Sequence, residues 1–526
     1  MDRQEAFVLR NRATLEHVAA LEKAFPEAAL HRRALHNLGS DFSYASEQPD
    51  GVWHALVHFS PIIQGQFGLT RDVLAVYSPH ADLQPRLFKA LPLGLQSLPP
   101  DRGAEDHVFL VFTRDIQTMR KVDNWSAESA YVAIALPRAG ASEDEGRVAT
   151  TLMESFYGRL ADRNLYDETL PVTGRDFFGR RQLLAQILDD LRQGNVCGIF
   201  GLRKTGKTSV IKELGQRLEQ TQQSRVFVLR DLETLPSDPR QIATDLVQDL
   251  RVSLLEPLRA NNVRTYELVQ LNSRASVGEF RRALQPILTD AKRRDVQIIV
   301  GLDEVESLVG DAAALRQQKR PDVPEILGTL RSLVQENENF NVLFSGITSA
   351  IMECGELYGR ENPLFSWAKP HYIPPMAEPD IRALTLDVGR RMAVNWSDDA
   401  LKQVWKQSQG NVFLHRTLCA KAVANLPPDV GGRTVQGEGV LLALKPWRRD
   451  IVQRLEEMLV STRRHYPLEC ELLDSFVQDP GGFGALEQAF PSEANRLLKL
   501  ALLKEDSAGN LSPGGLTSRL IDLALL

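Results

Sequence analysis

The stretch Gly201-Leu202-Arg203-Lys204-Thr205-Gly206-Lys207-Thr208 constrains this chain more than any other part of it. It ends the short apolar run VCGIFG (196–201) and opens TSVIKELGQRLEQ (208–220), whose apolar residues recur at helical spacing. A strand that passes through glycines directly into a helix can turn its backbone N–H groups inward, because glycine tolerates the angles this needs. The helix N-terminus adds partial positive charge at the same point. The spacing Gly-x4-Gly-Lys-Thr is the Walker A pattern, which predicts a strand, a phosphate-holding loop and a helix. Lys207 is then expected to reach the β- and γ-phosphates of ATP or ADP and to act in catalysis, and the Thr208 hydroxyl to ligate Mg2+. Gly201, Arg203, Lys204, Thr205, Gly206 and Ser209 are the other nucleotide contacts expected of this segment.

A second half of such a site follows later in the chain. Ile298-Ile299-Val300-Gly301-Leu302 has the pattern of a buried strand and ends in Asp303 and Glu304, the Walker B arrangement. Asp303 is expected to hold Mg2+ through water, and Glu304 to polarise an attacking water as general base. Glu306 is the less favoured alternative base, with a solvated surface side chain as its ordinary reading.

Around these motifs strands and helices alternate from Phe177 onward. Helices are predicted over 180–194, most of 238–292 and 323–335, and strands over 225–233, 296–303 and 341–347. That alternation predicts an α/β core with a parallel sheet covered by helices on both faces. Ahead of it, a helical pattern over 3–24 and apolar runs at 52–59, 73–78, 107–112 and 131–136 predict a separate N-terminal α/β domain over 1–170. Residues 137–146 read as an exposed loop, a helix follows to about Arg163, and 167–176 read as the linker. RDIQTMRKVDNW (114–125) reads as a solvated loop.

The N-terminal domain offers Ser78, His80, Asp82 and Arg86 just after an apolar strand, with Asp72 and Asp115 flanking strands, where α/β sheets commonly carry sites. It has no nuclease-type ExK and no nucleophile elbow, so packing or partner recognition is favoured over a second enzyme. After Pro379 the pattern turns helical, DPGG (479–482) marks a turn, and 501–505 with 511–515 read as a β-hairpin.

With 43% hydrophobic and 25% charged residues the chain has the composition of a globular protein. A net charge of −6 argues against attraction of the whole molecule to nucleic acid or anionic membrane, while leaving room for a local basic patch. Four widely separated cysteines suggest neither a zinc site nor a disulfide framework. The N-terminus lacks a signal-peptide core and no run approaches 18 apolar residues, so a cytoplasmic protein with no membrane partner is expected.

Phe178-Gly179-Arg180-Arg181 followed by Leu183-Leu184 resembles the FxGRxxEL lead-in of the STAND class of signalling ATPases, an AAA+-related family. Gly201-x-Arg203-x-x-Gly206-Lys207-Thr208-Ser209 resembles that class's GxRxxGKTS form, and Asn362-Pro363-Leu364-Phe365 its NPLF turn. The resemblance covers about residues 175–525. It departs from the family where an acidic residue would replace Gln182 or Leu183, and at Gly410-Asn411-Val412-Phe413, where the family's proline is missing. It implies a P-loop ATPase domain over 175–375, a helical lid over 376–445 and a C-terminal winged helix over 446–526. It places Phe178, Gly179 and Arg180 at the adenine pocket and Ser345 or Thr348 against the γ-phosphate or the attacking water, unless these two simply cap the strand end. His415 or Arg416 could act as a sensor and Arg360 as an arginine finger, with surface positions as their ordinary reading. The resemblance further implies slow, regulatory ATP hydrolysis. ADP would hold a closed monomer, and ATP with a protein partner or other trigger would drive homo-oligomerisation, in bacterial defence or stress response. The rival architecture is an origin-recognition-like AAA+ ATPase that binds or loads onto DNA. KPWRRD (445–450) and STRRHYP (461–467) are basic, but SEANRLLKL (492–500) sets only Arg496 and Lys499 against Glu493, which is thin for phosphate neutralisation.

Overall fold

The computed structural model describes residues 15–99, 102–127, 131–136, 138, 144–161, 164–167, 171–219, 224–236, 238–316, 320, 322–427 and 433–526. Residues 3–14 of the first expected helix, most of the 137–146 loop, 162–163 at the end of the helix expected after it, and 168–170 of the linker lie outside the described residues. The chain divides into two compact units. One comprises Met1–Glu168, Arg382–Gln403 and Cys419–Ala443; the other comprises Thr169–Ile381, Val404–Leu418 and Leu444–Leu526.

The first unit is built on a five-stranded sheet in sequence order: β1 (Asp41–Glu47), β2 (Trp53–His58), β3 (Asp72–Ser78), β4 (Ala104–Thr113) and β5 (Val132–Ala135). The first three strands are antiparallel and β3 to β5 are parallel. Leu74, Val76, Phe109 and Val111 enter one core, while Val73, Ala75, Tyr77, Leu110 and Phe112 enter another. Two apolar faces explain why β3 and β4 read as unbroken hydrophobic runs rather than alternating ones. The solvated loop expected at 114–125 is corrected: Thr118–Ala127 is a helix, and Trp125 packs on Phe88 with ring centroids 5.6 Å apart. Its apolar residues are too few for the helical period to stand out.

The second unit contains β6 (Cys197–Phe200), β7 (Ser224–Asp231), β8 (Val296–Asp303), β9 (Phe340–Gly346), a short hairpin β10 (Glu356–Leu357) and β11 (Arg360–Glu361), and β12 (Lys369–Tyr372). Its five-stranded sheet has the order β12-β6-β9-β8-β7, and every neighbouring pair is parallel. Helices Arg181–Arg192 and Lys207–Glu219 cover one face through Leu184, Ile187, Val210 and Leu214. Helices Val277–Arg293 and Val323–Glu336 cover the other through Phe280, Leu284, Leu327 and Leu330. Ser276 and Glu279 start the first of these with a capping box, satisfying amide groups that a helix end leaves open. This is the doubly covered parallel sheet that the alternation predicted. Because β6, β8 and β9 are adjacent and parallel, their C-terminal ends bring the glycine loop, Asp303 and Ser345 side by side.

The first unit also holds a parallel pair, β13 (Val394–Trp396) and β14 (Arg433–Val435). The second unit closes with helices Pro467–Gln478, Phe483–Ala489 and Pro491–Lys499, the antiparallel hairpin β15 (Leu503–Glu505) and β16 (Leu511–Pro513), and helix Gly515–Asp522. Arg496 and Lys499 are held by acids of their own chain. Glu353 accepts from Arg496 Nε at 3.2 Å and Lys499 Nζ at 3.4 Å, and Arg496 also pairs with Glu469. The four cysteines are free thiols. Among the described residues no helix is long and apolar enough to cross a membrane.

Candidate nucleotide site

The loop between β6 and helix Lys207–Glu219 takes the shape its sequence demands. Gly206 has φ +89°, a region closed to most side chains, and Lys204 has φ +60°. Thr205 Oγ1 donates to the Leu202 carbonyl at 2.8 Å, tightening the turn. Lys207 is buried, and its ammonium donates to the carbonyls of Gly201 at 3.0 Å and Leu202 at 3.2 Å. Burial lowers its pKa, opposed by the nearby Glu304, Glu306 and Asp303. Arg203 is exposed, and Lys204 lies 5.0 Å from the centre of the Phe413 ring. The Ser209 hydroxyl faces the linker, where it accepts the Val172 N–H at 3.2 Å.

Thr208 joins the two motifs: its Oγ1 donates to Asp303 Oδ2 at 3.1 Å. Asp303 is buried at the end of β8, and Oδ1 accepts the Glu304 N–H at 3.0 Å. Burial raises its pKa, and the neighbouring Ser345 hydroxyl pulls the other way. Ser345 is buried on β9, and its carbonyl accepts the Val305 N–H at 2.9 Å. Thr348 does different work, since its Oγ1 accepts the Ala350 N–H at 3.2 Å as an ordinary cap. Glu304 stands in left-handed backbone conformation, φ +56°. Burial and the adjacent Glu306 push its carboxyl up to about 7.

Beside the loop lies a small pocket of about 30 Å³, partly open to solvent. It is lined by Arg180, Leu202 and Thr205, by Pro374, Pro375 and Gly410, and by Leu500, Ala501, Gly515 and Leu516. Of the lead-in residues only Arg180 lines it; Phe178 and Gly179 do not. The Arg180 guanidinium donates to the Thr205 carbonyl at 2.5 Å and the Gly206 carbonyl at 3.5 Å. Its Nε is buried and, among the described residues, has no hydrogen-bond partner. Burial brings its pKa down to about 10. Gly410 has φ +81°, and a side chain there would overlap the Met376 carbonyl. His415 is fully buried, which corrects its expected place on a helix surface, and burial pushes its pKa down to about 3. Arg360 is exposed on β11, as its ordinary reading had it. Asn362 braces its turn by donating to the carbonyls of Ile351 at 3.0 Å and Cys354 at 2.7 Å.

Sequence reasoning missed His465. Its pKa is pushed down to about 4, first by burial and then by Arg464, with Arg203 and Glu304 also among the charges it feels. The adjacent Tyr466 hydroxyl donates to the Ile347 carbonyl at 2.7 Å and accepts the Ser349 N–H at 3.1 Å. The only signal in the sequence was the run STRRHYP, whose charge drew attention to its arginines.

In the first unit the four polar residues after β3 do not assemble. Ser78 is buried and accepts the His80 N–H at 3.4 Å, whereas His80, Asp82 and Arg86 are exposed. Asp115 instead accepts from Lys121 at 2.7 Å, Leu83 N–H at 2.9 Å and Gln117 N–H at 2.8 Å, which hold its pKa at about 2. Asp72 accepts from Ser43 and His58. These are satisfied structural carboxylates.

The residues of the second unit fit a nucleotide with Mg2+. A buried ammonium and a helix N-terminus meet at the loop, two hard oxygen donors sit 3.1 Å apart at Thr208 and Asp303, and an open pocket adjoins them. Residues 190–351 match the family described as AAA domain. No curated protein matches the chain. Among solved structures, the Walker-type ATPase PABY2304 of Pyrococcus abyssi is similar in fold, with a TM-score of 0.50 and 14% identity over 68% of this chain and 99% of that one. The Aeropyrum pernix ORC2 protein (TM-score 0.40, 14% identity, 69% and 96% covered) and its ORC1 protein, solved in complex with DNA (0.34, 17%, 67% and 95%), overlap more loosely. Strand order and glycine loop give this part of the chain the P-loop NTPase fold, and the match over residues 190–351 supports an ATPase of the AAA kind.

Proposed function

We propose that the chain is an ATP-hydrolysing molecular switch whose nucleotide state is read by its C-terminal segment. One observation carries this reading: the pocket beside the glycine loop is walled by Leu500, Ala501, Gly515 and Leu516 as well as by Arg180 and Thr205. A base seated there touches the ATPase core and the C-terminal segment together. A ligand shifts a conformational equilibrium only through contacts that differ between the states, and in this proposal the contacts with this wall are the ones that differ. We read the three helices from Pro467 to Lys499 with the β15–β16 hairpin as a winged helix, residues 376–445 as the lid and 1–170 as a separate N-terminal domain.

In this proposal Lys207 and the loop amides hold the phosphates, and Arg180 borders the base and ribose. Thr208 and Asp303 hold Mg2+, which when bound offsets phosphate charge. Glu304 accepts the proton of the attacking water, and Ser345 orients it. A defence or stress-response setting belongs to the same proposal and rests on the family resemblance alone. The switch is favoured over DNA loading because Arg496 and Lys499, the cations of the helix a winged helix would offer to DNA, are engaged by Glu353 and Glu469.

The test is mass by light scattering on the Glu304→Gln protein with ADP, with ATP, and with ATP plus duplex DNA. A larger assembly with ATP alone, or with ATP and a non-DNA trigger, supports the switch. Assembly that requires DNA transfers the assignment to the origin-recognition-like loader.

A further inference from the structure

Glu306 has a defined task in the geometry. Its Oε2 accepts the Ile347 N–H at 2.9 Å, reaching from the turn after β8 to the chain leaving β9. The bond beside it runs from the Val305 N–H to the Ser345 carbonyl, also at 2.9 Å. These two bonds stitch the segments together beyond the last β8–β9 partners, Leu302 and Phe344. Gly346 lies directly under the carboxylate. A Cβ there would overlap Glu306 Oε2 and come within 2.8 Å of Val305 Cγ2, so the close approach depends on glycine. Between the stitches and the end of β8 stands Glu304 at φ +56°, a conformation that a residue with a side chain keeps only where its surroundings hold it. The turn from Asp303 to Glu306 therefore needs an anchor on its far side, and Glu306 is the side chain that provides one.

We infer that Glu306 is a positioning residue that locks Glu304 to the strand end carrying Ser345, so that base and sensor keep one separation. This rests on the ATPase reading with Glu304 as base. The bond implies an asymmetry between two substitutions. Glu306→Gln keeps an oxygen that can accept from Ile347, whereas Glu306→Ala does not. A general base would behave otherwise, since glutamine is as useless as alanine for taking a proton.

The experiment measures steady-state ATP hydrolysis, affinity for a fluorescent ATP analogue, and hydrogen exchange of the 343–349 peptide in the full chain. The expected result is a Glu306→Gln kcat within about threefold of wild type and a Glu306→Ala kcat lower by about a hundredfold, the scale of a small misplacement at a reacting centre. Affinity should hold in both, and the 343–349 amides should exchange faster in Glu306→Ala alone. Gly346→Ala, which displaces the carboxylate without removing it, should repeat the kcat loss and keeps the test decisive where Glu306→Ala does not fold. Equal inactivity of the Gln and Ala variants would overturn the inference and make Glu306 the base. Wild-type rates in Glu306→Ala or in Gly346→Ala would overturn it too. A wild-type protein that binds or hydrolyses no ATP would instead bring down the proposed function, a result visible without any variant.

Discussion

Replacing Thr208 with valine removes one oxygen and nearly preserves the side chain's shape. That oxygen donates to Asp303 Oδ2 at 3.1 Å. Hydrogen bonds to charged groups contribute about 1.5–3 kcal/mol. Asp303 keeps its bond from the Glu304 N–H, and burial already biases it toward the neutral acid, so the loss should fall at about 1–2 kcal/mol. For a unit of this size that lowers Tm by roughly 1.5–3 °C. The larger effect concerns Mg2+. Titrating a fluorescent ATP analogue in excess Mg2+ and again in EDTA separates the metal-dependent part of affinity from the rest. In Thr208→Val the metal-dependent gain should shrink at least about tenfold, the lower bound seen when even an outer partner of a metal is lost. Affinity in EDTA, carried by Lys207 and the loop, should stay near wild type. An undiminished Mg2+ gain in the valine variant would refute the reasoning, because it would mean that the contact between Thr208 and Asp303 does not mark the metal position.

Lys207→Ala should abolish measurable nucleotide binding in the same titration; retained affinity would sink the site assignment. Glu304→Gln should still bind ATP but turn it over at least about a hundredfold more slowly, as loss of a general base does. Because the free Glu304 carboxyl sits near 7, wild-type kcat/KM should fall as pH drops through about 7, and the glutamine variant should lose that inflection. The sign for stability is opposite. A raised carboxyl pKa favours the protonated folded form, so Glu304 contributes stability at pH below about 4.5 that is lost as pH rises through about 7. Gly410→Ala should destabilise the protein by roughly 2–5 kcal/mol, from about 1–2 for left-handed backbone and 1–3 for overlap with Met376, read by thermal melts.

The sequence disclosed those parts of the molecule whose causes are local. The glycine loop, Lys207, Thr208, Asp303 and Glu304 are legible because the spacing itself dictates the turn and the strand end. β8 matched its expected span because both its faces are buried and VQIIVGLD is almost wholly apolar. β12 was missed because KPHY is polar and lies at the sheet edge, paired with β6 alone. β1 was missed because DFSYASE buries only two of its side chains and shows no clear alternation. The pocket wall at Leu500 and Leu516 could not be read at all, since nothing in residues 500–516 mentions a loop at 201–206. Glu306 was visible as an acid, but its partner is a main-chain N–H just past the end of another strand, which carries no residue signature. His415 misled because its helix has apolar residues on every side, so a polar letter there looked like surface.

The pocket wall also sets a schedule for synthesis. A chain made from its N-terminus has its glycine loop, Asp303 and Ser345 once β9 has emerged. The pocket lining is incomplete until Leu516 leaves the ribosome. A nascent or C-terminally clipped chain would therefore hold phosphates without gripping the base. If the proposed function holds, proteolysis between Ala501 and Gly515 would leave Lys207, Asp303 and Glu304 in place while separating part of the pocket lining from them.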